Sequence, residues 1–123
     1  MSTRVRTHGD EIAFGFSDNL PYFKRLVPQA LNYADLGLDP YTTDFADRLL
    51  DRMRAAWRIH FDLSGMRMLN RPDGVLRGPA FLNPLGSTNW ELRTIWDDPD
   101  LRTKTVFYRD GAVLSAEQVA QLP

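Results

Sequence analysis

Between Asp44 and Phe61 the chain reads DFADRLLDRMRAAWRIHF. At about 100° per residue, the advance of a helix, these side chains sort onto two faces. Phe45, Ala46, Leu49, Leu50, Met53, Ala56 and Trp57 share one half of the circumference, and Asp44, Asp47, Arg48, Asp51, Arg52, Arg54 and Arg58 share the other. A wide apolar stripe of this kind predicts a helix packed on a core. Thr43 or Asp44 suits the N-cap, where a short side-chain oxygen accepts from a free amide of the first turn. The acids come early and most arginines late, as the helix dipole favours. Asp44 and Arg48 stand four residues apart and Asp51 and Arg54 three apart, each a pair worth roughly 0.2–0.5 kcal/mol on a helix surface.

Ile59 falls on the polar side of that wheel, which predicts that the helix ends near Arg58. From there Ile59, Phe61 and Leu63 alternate with His60, Asp62 and Ser64, the period of a strand. On a continuing helix His60 would enter the apolar face. On a strand it shares with Asp62 the face opposite the apolar one.

Upstream, Ile12, Phe14 and Phe16 alternate and predict a short strand from Glu11. Ser17, Asp18 or Asn19 can cap a following helix, with Pro21 near its first position. Phe23, Leu26, Val27, Ala30, Leu31 and Ala34 continue a helical stripe, but Pro28 clashes with the carbonyl four residues back, so two short helices or a kink are expected. Gly37 closes that unit and Asp39-Pro40 is a turn.

Downstream the pattern turns β-like. Arg71-Pro72-Asp73-Gly74 has the form of a turn with proline at its favoured position, joining Met66–Asn70 to Val75–Phe81. Pro84 and Gly86 break a loop over 82–89. Glu91–Trp96 and Leu101–Tyr108 read as strands joined by Asp97-Asp98-Pro99-Asp100. Asp110-Gly111 is the strongest hairpin signal in the chain, returning Ala112–Leu114 against Val106–Tyr108. Ser115 followed by Gln118 is a capping-box pattern that opens a short final helix ended by Pro123.

Helices first and sheet second predict an α+β domain. Its parts are a short N-terminal strand and helices, one long amphipathic helix packed on a C-terminal antiparallel meander of four to five strands, and a short C-terminal helix. Residues 1–10 read as a polar arm, disordered or ordered by a partner, and 11–123 as a single globular domain. The 123 residues suffice for one core, burying somewhat under about 70% of the unfolded surface.

Composition narrows the function classes. Apolar residues are 43% and charged residues 25%, ordinary for a globular domain. The formal net charge of −1 supplies no global field toward nucleic acid or an anionic membrane. No apolar run spans a bilayer, and MSTRVRTHGD lacks the hydrophobic segment of a secretory signal. With no cysteine, disulfides, thiolate nucleophiles and cysteine metal sites are excluded. The expectation is a soluble chain, cytoplasmic or particle-associated.

Candidate chemistry is sparse. His8 lies near Asp10 and Glu11, a set able to hold a divalent metal, although a solvated polar tail explains it better. His60-x-Asp62 on one strand face has the makings of half a metal site or an acid–base pair; no third ligand follows at a telling spacing, and a structural histidine at the core edge is favoured. Asp97, Asp98 and Asp100 lack the glycine and the closing acid of a calcium loop, and turn chemistry accounts for them. Gly15-Phe16-Ser17 is neither a Walker loop nor a dinucleotide fingerprint, and no Gly-x-Ser-x-Gly elbow is present. The sequence therefore predicts no catalytic residue, no metal, no cofactor and no small-molecule substrate.

Two surfaces remain. Arg48, Arg52, Arg54 and Arg58, followed by Arg67, Arg71 and Arg77, interleave with aromatics as in single-strand binding, but Asp44, Asp47 and Asp51 share that face and a self-paired solvated helix is favoured. Trp90, Trp96 and Tyr41 sit at loop and helix ends, and with Arg71 and Arg77 they have the composition of protein–protein anchors. The primary expectation is a non-enzymatic structural or interaction protein that associates with itself or with protein partners. It would be a small subunit of a larger assembly, such as a minor virion or connector component. A regulatory nucleic-acid-binding module using Arg48–Arg58 and a small metal-dependent enzyme around His60 and Asp62 are the alternatives.

Overall fold

The computed structural model describes residues 10–16, 18–32, 34–39, 41–65, 69–70, 76–77 and 87–120. Its centre is a four-stranded sheet in the order β1 (Glu11–Phe14), β2 (Arg58–Asp62), β5 (Thr105–Arg109), β6 (Ala112–Leu114). β1 pairs parallel with β2, β2 parallel with β5, and β5 antiparallel with β6. This mixed sheet corrects the expected antiparallel meander. Parallel neighbours need long crossovers, and residues 15–57 and 63–104 supply them. The first crossover carries α1 (Leu20–Leu26) and α2 (Phe45–Ala55). The second carries the short antiparallel pair β3 (Leu69–Asn70) and β4 (Leu76–Arg77), then α3 (Ser87–Asp97) and α4 (Pro99–Thr103). The proposed turn at 71–74, the arm with His8, and residues 66–68 and 78–81 of the expected hairpin lie outside the described residues.

Strand alternation divides the sheet into two apolar faces. Ile12, Phe14, Ile59, Phe61 and Phe107 pack against Leu49 and Met53 of α2, Leu92, Ile95 and Trp96 of α3, Leu101 of α4 and Val119 of the C-terminal helix α5 (Ala116–Ala120). On the other face Ala13 and Tyr108 meet Phe23, Val27 and Ala30 in and after α1, with the Phe23 and Tyr108 rings 5.0 Å apart, edge to face. The molecule is mixed α and β as expected, but helices cover both sides of the sheet.

α2 is amphipathic as its pattern demands, yet it spans 11 residues and is not long. It stops at Ala55 because Ala56 turns extended (ψ 142°) and the next amides enter the sheet: Trp57 N–H donates to Asp10 at 3.2 Å and Ile59 N–H to Lys104 at 3.1 Å. The Lys104 ammonium donates to the carbonyls of Arg54 and Ala56, a cation at the negative end of the helix dipole. Trp57 thereby leaves the apolar stripe. It lies 38% exposed, with the Arg58 guanidinium 4.5 Å from its ring centre.

The larger correction falls on Glu91–Trp96, expected as a strand and found inside α3. Leu92, Ile95 and Trp96 are buried at helical spacing of three and four, a period that a six-residue window hides behind the strand preference of Thr, Ile and Trp. Leu101–Tyr108 likewise opens as helix α4 and becomes strand only at Thr105. Asp98 explains the break: its carboxylate accepts from Asp100 N–H at 2.9 Å and Leu101 N–H at 3.4 Å, capping a new helix with Pro99 in its first turn.

Several local expectations hold. β1 begins at Glu11. Pro21 sits in the first turn of α1 and the helix ends before Pro28. Asp110 and Gly111 take positive φ (52° and 84°) in the β5–β6 hairpin. Ser115 and Gln118 form the reciprocal capping box, at 2.8 and 3.1 Å. Among the described residues no helix is long and apolar enough to cross a membrane.

Candidate functional site

The parallel strands β2 and β5 end side by side, and the turns at their carboxyl ends build a cleft. Leu63 N–H still donates to Tyr108 at 2.7 Å, carrying the ladder one residue past β2 before Ser64-Gly65 turns away, with Gly65 at φ 78°. Asp62, the last residue of β2, folds its side chain forward: Oδ1 accepts Ser64 N–H at 3.0 Å and Ser64 Oγ–H at 2.6 Å. Ser64 Oγ in turn accepts Asp110 N–H at 2.8 Å, tying in the β5–β6 turn. Asn19 Nδ2 donates to the Ser64 carbonyl at 3.0 Å, tying in the start of α1. Gly15 backs this arrangement closely. A Cβ there would stand 3.2 Å from Asp62 Cβ and 3.3 Å from its carbonyl oxygen.

The resulting cleft has a volume of about 500 Å³. One wall is α1 with Tyr22, Phe23 and Leu26, and the base and opposite side are Asp62, Ser64 and the Asp110-Gly111 turn. Arg25 stands at its edge, its guanidinium 5.7 Å from the Tyr22 ring centre. The crevice beyond the carboxyl ends of parallel strands is where open α/β sheets place ligands, because loops there are free of the ladder. Tyr22 and Leu26 are exposed. Val113 of β6 is exposed as well, and its pairing opposite Tyr108 puts it on the α1 side of the sheet.

His60 and Asp62 do share the sheet face opposite Ile59 and Phe61, as strand alternation predicted, but they do not act together. His60 is buried and both ring nitrogens are engaged, Nε2 with Glu11 Oε1 at 2.7 Å and Nδ1 with the Tyr108 hydroxyl at 2.8 Å. Burial pushes the Glu11 carboxyl up. Hydrogen bonds from His60 and Gln29 and the charges of His60 and Arg58 outweigh it and hold the group below its ordinary value. Burial raises the Tyr108 hydroxyl, opposed by Arg58 and reinforced by Glu11. This is a closed, satisfied network across β1, β2 and β5, and His60 is not among the residues lining the cleft. Among the described residues no group of three or more His, Asp or Glu could hold a metal ion, and Asp10 is paired with Arg52 at 2.7 Å.

The other expected contact residues are scattered. Trp96 is buried in the core, edge to face with Phe107 at 5.8 Å and covered by Arg102, which leaves little of its surface for a partner. Trp90 is half-buried and packs against the same core. Tyr41 is 94% exposed beside a smaller hollow of about 310 Å³ lined by Leu38, Phe45 and Arg48. Arg71 lies outside the described residues, and Arg77 is placed only as a residue of β4. Of the four arginines weighed for nucleic acid, Arg48 pairs with Asp44 at 2.7 Å and Arg52 with Asp10. Arg54 is exposed on α2, and Arg58 belongs to β2. Sequence reasoning missed Tyr22, Leu26, Ser64 and Asp110 as one site. The available signals were the Asp-x-Ser-Gly turn after a strand and the Asp-Gly hairpin, each legible as a turn but not as neighbours.

No family model, curated protein or solved structure matches the chain.

Proposed function

We propose that this chain is a non-enzymatic interaction protein, a small subunit of a larger protein assembly, and that it docks through the α1 side of the sheet. The observation that carries this reading is the grouping of Tyr22, Leu26 and Val113. All three are large apolar side chains left exposed: Tyr22 and Leu26 line the cleft, and Val113 lies on the same side of the sheet in β6, its last strand. Exposed apolar side chains scattered singly need no explanation, but a cluster beside a concavity marks an interaction surface. An edge strand adds unpaired backbone groups that a partner segment can complete. The His60 network beneath is consistent with the same reading, because both ring nitrogens are engaged, with Glu11 and Tyr108.

Sedimentation and native mass spectrometry of the protein from its natural source test this directly. The expected result is a self-associated or partner-bound species that dissociates in the double variant Tyr22→Ser, Leu26→Ser. A strictly monomeric mass up to high concentration, with no co-purifying protein, overturns it.

A further inference from the structure

The cleft contains one group that the fold leaves half-satisfied. Asp62 is 6% exposed, yet only its Oδ1 is hydrogen-bonded, to Ser64; Oδ2 has no hydrogen bond or ion pair among the described residues. This carboxylate lines a cavity large enough for a side chain or small ligand, where a donor from outside the fold can meet it. Arg25, the cation among the cleft's lining residues, makes no ion pair with Asp62; its guanidinium lies 5.7 Å from the Tyr22 ring centre. Asp110 adds a second acid on the hairpin side of the same cleft, while Tyr22, Phe23 and Leu26 supply an apolar wall.

We infer that the cleft binds a guanidinium or primary ammonium group on a short apolar stem, with the cation on Asp62 Oδ2 and the stem along Tyr22, Phe23 and Leu26. This rests on the reading of the α1 side as the contact surface and names the chemistry of what it contacts. A guanidinium suits the site best, since its planar fork of donors can meet Oδ2 while its faces rest on aromatic rings. We take the occupant to be an arginine side chain of a partner protein, because Tyr22 and Leu26, exposed on the cleft wall, offer apolar surface beyond what the cation itself covers.

Amide correlation spectra of the full chain, titrated with butylguanidinium and separately with an acetylated Leu-Arg-Leu amide, test the inference. Saturable shifts are expected at Ser64, Asp110 and Gly111, with the citrulline version of the peptide at least tenfold weaker. Tighter binding of the peptide than of butylguanidinium is expected for a partner's arginine; the reverse order overturns that occupant in favour of a free ligand. Asp62→Asn keeps an oxygen for Ser64 and should weaken both probes at least tenfold without changing the thermal midpoint greatly. The comparison with citrulline is made on the unmodified chain and stands even where that variant folds poorly. Equal shifts from the arginine and citrulline peptides, or no saturable shift from any cation, overturn the inference. If the cation probes fail while Tyr22→Ser, Leu26→Ser still disperses the assembly, the contact surface stands and only its proposed chemistry falls.

Discussion

Glu91 supplies the sharpest test of how α3 packs on the sheet. It sits on the inner side of α3 with Leu92 and Ile95, is 4% exposed, and its carboxyl has no hydrogen-bond partner among the described residues. Burial alone pushes it up from an ordinary 4.5 to about 8, because a carboxylate stripped of water without a donor is far less stable than the neutral acid. The consequence for stability has a definite sign. Between pH 4.5 and about 8 the unfolded chain has released this proton and the folded chain retains it, so the unfolded state binds fewer protons and stability falls as pH rises. At about 1.4 kcal/mol per pH unit, a gap of about 3.5 units amounts to about 5 kcal/mol, comparable with the whole stability of a small domain. Below pH 4.5 this contribution is fully present, and above about 8 it is fully lost.

Urea unfolding of the natural chain and of Glu91→Gln, each measured from pH 4.5 to 8.5, separates this group from every other titration. The stability difference between the two proteins should widen in favour of the glutamine variant by several kcal/mol over that span, most steeply below pH 8. Two parallel stability profiles would refute the reasoning, since they would mean that Glu91 ionises inside the fold at no greater cost than in water.

The same geometry yields three more expected outcomes. Leu49, fully buried in α2 against the sheet, should lose about 2–5 kcal/mol on Leu49→Ala, measured by chemical denaturation; a loss under about 1 kcal/mol would place α2 off the core. Glu11→Gln should flatten the acid side of the stability profile. A carboxyl held below its ordinary value stabilises the fold above that value and loses the contribution as pH falls through its folded value, so an unchanged acid limb in pH-dependent melting would refute the pairing with His60. Gly15→Ala should cost roughly 1–3 kcal/mol, the range for overpacking, because its new methyl meets the Asp62 backbone and Cβ at 3.2–3.3 Å. It should also shift the Ser64 amide resonance; a neutral substitution would show the contact to be looser than the structure places it.

The sequence by itself determined whatever depends on neighbours within a few residues. The Ser115–Gln118 box, the Asp110-Gly111 turn, Pro21 opening α1, Pro28 following its end, and the two faces of α2 are all local. Their physics is the satisfaction of nearby amides, the fixed φ of proline, the tolerance of positive φ, and a helical period sustained over three turns. The switch to strand period after Trp57 was local too, and it correctly put His60 and Asp62 on one face.

Only the tertiary structure decided the rest. Whether two strands run parallel depends on a pairing partner more than 40 residues away, and nothing in Glu11–Phe14 records that Arg58–Asp62 will lie beside it. The segment Glu91–Trp96 carries both periods, and burial of Leu92, Ile95 and Trp96 against the sheet selected the helix. The cleft belongs to the same class. Asn19, Asp62 and Asp110 are joined through Ser64 by three hydrogen bonds; the bond to Asp62 is local, but those to Asn19 and Asp110 close only after the strands have brought distant turns to one end of the sheet.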